Sequence, residues 1–153
     1  MEIILFEPEI PPNTGNIARL SAGLGIRLHL VEPLGFSIAD KDLKRAGLDY
    51  WPYVDLRVWP DWKSFRDGWE GGRIIAASAR RGEHYSLYAA EEGDGLLFGP
   101  ETRGLPESVA EEADRVYRIP LREGVRSLNL ATTVGFFLGM ALPRLRAAEG
   151  LAG

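Results

Sequence analysis

Short, nearly unbroken apolar runs alternate along this chain with segments in which apolar residues recur every three or four positions. Ile3 to Phe6 is the first run, closed by Pro8, and Leu28 to Val31, Val54 to Val58, Arg73 to Ser78, Gly95 to Phe98 and Val116 to Ile119 repeat the pattern. Runs of this kind read as strands, the first of them buried. Between them, Ile17, Leu20, Ser21 and Leu24 share one helical face closed by Gly25, and Pro60 opens a second helix patterned by Trp62, Phe65 and Trp69. Asp40 caps a short basic helix through Ala46, and Pro106 starts another to about Ala113. The longest apolar stretch, Leu128 to Leu142, falls short of the roughly 20 residues a bilayer crossing needs; with Asn129, Thr132 and Thr133 inside it, it reads as a buried helix capped by Ser127. His29 falls in a strand and His84 in a loop. Strands alternating with helices predict an α/β fold with a mainly parallel sheet flanked by helices. No linker, repeat or low-complexity stretch breaks the pattern, so one domain over residues 1–153 is expected.

Charge narrows the partners. The formal net charge of −4 argues against generic polyanion binding, so a nucleic-acid substrate requires local basic clusters within an acidic whole. Such clusters exist at Lys41, Lys44 and Arg45, at Arg80 and Arg81, at Arg122 and Arg126, and at Arg144 and Arg146. The chain has no cysteine, which excludes disulfides and thiolate metal sites and suits a reducing, cytoplasmic setting. The first residues carry an acid early and too few apolar side chains for a signal peptide.

Three loops follow strands and are rich in Gly, Pro and polar residues: Glu7 to Asn16, Gly99 to Pro106, and Pro120 to Asn129. In open α/β sheets ligands bind outside the carboxyl ends of strands, so loops converging there form one site, although strand-to-helix turns need such residues for backbone reasons alone. There is no phosphate-binding P-loop, no Gly-rich dinucleotide fingerprint after the first strand and no nucleophile-elbow serine. The two histidines lack ligand-like spacing, and no metal is expected. What remains is a loop-built pocket holding Asn13, Arg19, Glu101, Arg103, Ser127 and Asn129.

The loops also carry a resemblance. The segments Pro8 to Leu20 (PEIPPNTGNIARL), Val31 to Phe36 (VEPLGF), Arg45 to Tyr50 (RAGLDY), Phe98 to Pro106 (FGPETRGLP), and Arg118 to Leu121 (RIPL) with Arg126 to Leu130 (RSLNL) resemble the SPOUT-class RNA 2′-O-methyltransferases, in particular the small tRNA (cytidine/uridine-34) members. The resemblance runs in order from residue 2 to about 142. It departs at Ala131-Thr132-Thr133, where Ser-Asn-Ala is common, and at Leu138-Gly139, where a Tyr-Glu pair is common. It implies a sheet whose C-terminal segment is threaded into a deep trefoil knot, a topology that general folding rules would not predict. It further implies S-adenosyl-L-methionine bent inside that knot, a homodimer without a separate RNA-binding domain, and the anticodon stem-loop of tRNA as substrate. The reaction implied is 2′-O-methylation of the wobble nucleotide; another tRNA position, rRNA, or a non-catalytic RNA-binding dimer are the alternatives.

Carried over by motif, the cofactor is expected against Ser78, Ala79, Gly99, Ile119, Ser127 and Leu128, with main-chain groups reading its polar edges. Gly99 is expected to leave room for the ligand. Arg19 and Glu101 are the catalytic candidates. A guanidinium offers only donors, so Arg19 either loses a proton in a dry site or clamps a phosphate and aims the hydroxyl. Glu101 either accepts a proton or holds Arg19 or Arg103 in place. Asn13, Asn16, Arg45, Tyr50, Arg103 and Asn129 are expected to face the substrate, with helix capping explaining one of the first two asparagines. Trp51, Trp59, Trp62 and Trp69 are expected to be core or dimer packing, and Gly135 and Gly139 to admit a close helix neighbour.

Overall fold

The computed structural model describes residues 1–39 and 49–148, with side chains described as far as Leu145. The basic helix expected from Asp40, including Arg45, lies outside the described residues. Seven strands form one sheet: β1 (Glu2–Phe6), β2 (Leu28–Val31), β3 (Leu56–Trp59), β4 (Ile74–Ser78), β5 (Glu83–His84), β6 (Gly95–Phe98) and β7 (Arg115–Arg118). Their order is β3-β2-β1-β6-β4-β7-β5, and every pairing is parallel.

Among the described residues the α-helices are α1 (Pro11–Leu24), α2 (Trp62–Gly68), α3 (Glu107–Glu111) and α4 (Leu130–Ala148). Because side chains alternate across a strand, each apolar run feeds two cores. Ile3, Leu5, Leu28, Leu30, Ile75, Leu96 and Phe98 pack with Ile17 and Ala18 of α1 and Val134, Phe137 and Leu138 of α4. Ile4, Phe6, Val31, Ile74, Ala76 and Leu97 pack on the opposite face with Phe65 of α2 and Val109 of α3. This double burial is why the strands read as continuous apolar runs.

Local chemistry sets the element ends. Two prolines occupy the start of α1, where a missing N–H costs nothing. Gly25 ends it in the left-handed region at φ 67°. The third strand begins at Leu56, two residues after the expected Val54, because the Val54 N–H closes a 3-10 turn on the carbonyl of Trp51. Asp61 caps α2 by accepting from the Ser64 N–H at 2.7 Å. His84, expected in a loop, pairs with Arg118 at the sheet edge. The cap of α4 is Asn129, whose Oδ1 accepts from the Thr132 N–H at 3.2 Å, and not Ser127. No helix among the described residues is long and apolar enough to cross a membrane.

Three of the four tryptophans gather around one buried ring. Trp59, Trp62 and Trp69 each meet Phe65, with centroids 5.7, 5.1 and 5.4 Å away. Trp59 Nε1 donates to His29 Nδ1 at 3.0 Å, so the His29 Nε2–H faces the Glu2 carboxylate. Burial pushes the His29 pKa down against the pull of Glu2. Trp51 packs half-buried against the core on the α1 side.

Candidate functional site

The loops leaving β4, β6 and β7 enclose a cleft of about 480 Å³ at the carboxyl end of the sheet. That volume suits a small organic ligand. Ser78, Ala79, Gly99, Ile119, Ser127 and Leu128 all line it, together with Glu101 and Arg103. Phe98, Leu105, Leu121, Leu130 and Phe137 supply apolar walls, and Arg80 and Arg126 supply charge. Ser78 organises the first loop by accepting from the N–H groups of Arg80 and Arg81 at 3.2 and 3.3 Å.

Gly99 is required by the chain's own backbone, apart from any ligand beside it. A Cβ there would lie 2.3 Å from the Leu105 nitrogen and 2.7 Å from the Gly104 carbonyl carbon. The collision is with the chain's own backbone, because the 100–105 loop folds back over the strand end. A turn closed by the Gly104 N–H on the Pro100 carbonyl at 2.9 Å holds that fold.

Two carboxylates lock this loop to the one after β1. Glu101 accepts from the N–H groups of Glu9 at 2.8 Å and Ile10 at 3.1 Å. Glu9 reciprocates, accepting from the Thr102 N–H at 2.9 Å and from its hydroxyl at 2.7 Å. Those bonds, with the charge of Arg103, hold the Glu9 carboxyl below its ordinary range. Arg103 itself pairs with Glu7 and lies 3.7 Å from Glu9. Glu101 therefore pins main-chain amides, and neither Arg19 nor Arg103 is its partner.

Asn13 extends the lock to the third loop. Its Nδ2 donates to Glu101 at 3.3 Å, and its Oδ1 accepts from Asn129 Nδ2 at 2.8 Å. The direction is fixed at both ends: a carboxylate only accepts, and the Thr132 N–H on Asn129 Oδ1 only donates. Asn13 is buried and caps nothing; the helix it sits on has no side-chain cap. Asn16 is exposed on α1.

Arg19 does not line the cleft. It is exposed on α1, with its Cζ 4.6 Å from the ring centroid of Tyr50 and its Nη2 3.4 Å from the Tyr50 hydroxyl. The structure thus joins Arg19 with Tyr50, and Asn13 with Glu101 and Asn129, as two separate groups. Sequence reasoning missed Glu7, Glu9 and Thr102. Two acids directly after β1, and a threonine beside Glu101, were the available signals.

With this geometry in view, comparisons with known proteins converge. The sequence pattern of the SpoU rRNA Methylase family matches residues 1–139. A tRNA (cytidine(34)-2'-O)-methyltransferase from Methylovorus glucosotrophus (strain SIP3-4) is 47% identical over 139 residues, 90% of each chain. The enzyme of the same description from Escherichia coli (strain K12) is 44% identical over 136 residues, covering 88% of this chain and 87% of that one. A solved structure described as "Structural insights into the 2-OH methylation of C/U34 on tRNA" superposes with a TM-score of 0.91 at 47% identity, covering 95% of this chain and 96% of that chain. An AdoMet-bound rRNA methyltransferase from Sinorhizobium meliloti superposes with a TM-score of 0.84 at 25% identity, over 94% of this chain and 56% of that chain.

Proposed function

The chain belongs to the SpoU rRNA Methylase family, and on that premise we propose that it is a tRNA (cytidine/uridine-34) 2′-O-methyltransferase using S-adenosyl-L-methionine. The observation that carries the reading is the cleft itself. Two loops that resemble the family's motifs, Phe98 to Pro106 and Arg118 to Leu130, close with the loop after β4 around one ligand-sized space. The expected third loop, Glu7 to Asn16, does not line it, and all six expected cofactor-binding residues do. Its apolar walls suit an adenine ring, while the loop main chain at Ser78–Ala79, Gly99 and Ser127–Leu128 offers polar groups for its edges.

When bound, S-adenosyl-L-methionine supplies an electrophilic methyl group on a sulfonium. The protein's share of the work is orientation and exclusion of water. In-line positioning of the 2′-hydroxyl contributes up to about 7–11 kcal/mol, so no strong base is demanded. Glu101 acts as a positioning residue, since both its oxygens hold the β1 loop. Asn13 and Asn129 hold the cofactor loop in register with it.

Arg19 and Tyr50 lie outside the cleft of their own chain, which supports delivery of Arg19 to the cleft of a second copy in a cytoplasmic homodimer. The exposed face of α4 supports that assembly: Phe136 is 44% exposed, and Gly135 and Gly139 have open space where a side chain would stand. On this reading Arg19 clamps phosphate and aims the hydroxyl, Asn16 and Arg45 face the anticodon stem-loop, and the 119–129 segment with α4 is the threaded part of the trefoil knot.

The test is methyl transfer from labelled S-adenosyl-L-methionine to defined tRNA transcripts, with the product nucleotide mapped by nuclease digestion and mass spectrometry. A 2′-O-methyl group at position 34 is expected. Product confined to rRNA or to another tRNA position refutes the assignment.

A further inference from the structure

Of the seven described arginines without an acidic partner, Arg19, Arg57 and Arg144 stand apart on α1, β3 and α4, and the other four gather at the mouth of the cleft. Arg27, Arg66, Arg73, Arg81, Arg103 and Arg115 each have a carboxylate oxygen within 4.0 Å. Arg80, Arg118, Arg122 and Arg126 have none among the described residues, and all four are exposed. They share one place in the fold. Arg118 ends β7 opposite Ser78 of β4, Arg80 stands two residues beyond Ser78, and Arg122 and Arg126 lie on the loop leaving β7. Arg80 and Arg126 line the cleft directly.

This placement is selective. Arg81 is spent on Glu107 at 2.7 Å, and Arg103 is held by Glu7 and Glu9. The acid that lines the cleft, Glu101, has both oxygens engaged by main-chain amides. A chain of net charge −4 therefore presents a locally cationic rim at this cleft. A ribose whose 2′-hydroxyl enters this cleft carries phosphodiesters on both sides, and these must pass the rim. A guanidinium fork matches two phosphate oxygens at once.

We propose that Arg80 and Arg126 form a two-pronged clamp on the RNA phosphates that flank the target ribose, and that their neighbours Arg81 and Arg103 take no part in it. The inference rests on the reading of the cleft as the methyl-transfer site. Phosphate contacts position the strand without reading its sequence, so the clamp sets affinity and register.

The probe is a synthetic anticodon stem-loop RNA, with its affinity followed by fluorescence anisotropy across a potassium chloride series. Arg80→Ala and Arg126→Ala are each expected to weaken binding by about tenfold, and to flatten the log–log salt slope by roughly 0.7–0.9. Arg81→Ala is expected to leave both unchanged. Arg126→Lys is expected to restore the slope while recovering part of the affinity, because the point charge returns without the fork. Calorimetry with S-adenosylhomocysteine in the absence of RNA is expected to give wild-type affinity for all four variants. Loss of S-adenosylhomocysteine affinity in Arg80→Ala or Arg126→Ala would assign the arginines to the cofactor's carboxylate and overturn the clamp. An unchanged salt slope in both variants overturns it too. If the wild-type protein neither binds S-adenosylhomocysteine nor methylates the RNA, the methyltransferase reading fails, and the clamp falls with it.

Discussion

Replacement of Glu101 separates a carboxylate that moves a proton from one that holds a loop. In the structure it accepts three hydrogen bonds, from Glu9 N at 2.8 Å, Ile10 N at 3.1 Å and Asn13 Nδ2 at 3.3 Å. Hydrogen bonds to a charged group contribute roughly 1.5–3 kcal/mol each. The Ile10 amide is exposed and regains water when the carboxylate is lost, and the Asn13 bond is long. The half-buried Glu9 amide and the stranded Asn13 amide then carry most of the loss. Glu101→Ala is expected to cost about 2–4 kcal/mol. In Glu101→Gln the amide oxygen still accepts from Glu9, but its NH₂ faces two donors, and about 1–2 kcal/mol is lost. For a chain of this size those values lower Tm by roughly 6–12 °C and 3–6 °C. Removing a general base costs roughly 10²–10⁴-fold in kcat whichever residue replaces it, whereas a pin predicts that Gln loses less than about tenfold. The assays are differential scanning calorimetry and single-turnover methylation of tRNA. A Gln variant with unchanged Tm and kcat reduced a hundredfold or more would refute the pin.

Three further outcomes follow from the same structure. Gly99→Ala places a methyl 2.3 Å from the Leu105 nitrogen; the strain is expected to cost about 1–3 kcal/mol and to weaken S-adenosylhomocysteine binding in calorimetry, and wild-type affinity would contradict the close approach. Asp94 is fully buried and accepts from Arg73, from the Tyr88 hydroxyl at 2.8 Å and from the Glu91 N–H at 2.9 Å. Arg73 keeps Glu91 as a partner in Asp94→Ala, but the buried Tyr88 hydroxyl loses its acceptor, and the variant is expected to cost about 2–4 kcal/mol in urea unfolding. Burial lowers the His29 pKa beneath its ordinary 6.5, so the unfolded chain binds the extra proton first: the stability is complete above about pH 6.5 and declines as pH falls toward the folded value, by up to about 1.4 kcal/mol per unit. Urea midpoints of wild type and His29→Gln between pH 7.5 and 5.5 check this, and parallel declines would remove His29 as the cause.

How far the sequence reached depended on how local the determining physics is. Strands buried on both faces announce themselves as continuous apolar runs, so the parallel sheet and its flanking helices follow from the pattern of Ile3–Phe6, Leu28–Val31 and Gly95–Phe98. The packing of Trp62 and Trp69 on Phe65 follows from their helical spacing, whereas Trp59 reaches the same ring from β3. The hydrogen-bond relay through Asn13 does not, because its partners stand 88 and 116 residues away. Only the register between three strand ends brings them together. The close approach of Gly99 to Leu105 and Gly104 was illegible for the same reason: nothing in the composition of a turn says which way it folds back.

The position of the cleft follows from the winding of the sheet. In open α/β folds a ligand crevice forms where the helices after two adjacent strands leave toward opposite faces. Here β1 and β6 are neighbours, α1 leaves toward one core and α3 toward the other. That crevice is not open space: the Glu9–Thr102 and Glu101–Glu9 bonds span it, and Arg103 on Glu7 reinforces them. The opening appears instead across β6, β4 and β7, where α3 and α4 again depart to opposite faces. Acids concentrated at the first crevice neutralise the arginine of that loop, and arginines left unpaired stand at the second. The same winding that closes one crevice with carboxylates thereby leaves the other free for the ligand and the RNA backbone proposed for it, and on that proposal an acidic chain acts on a polyanion through one cationic rim.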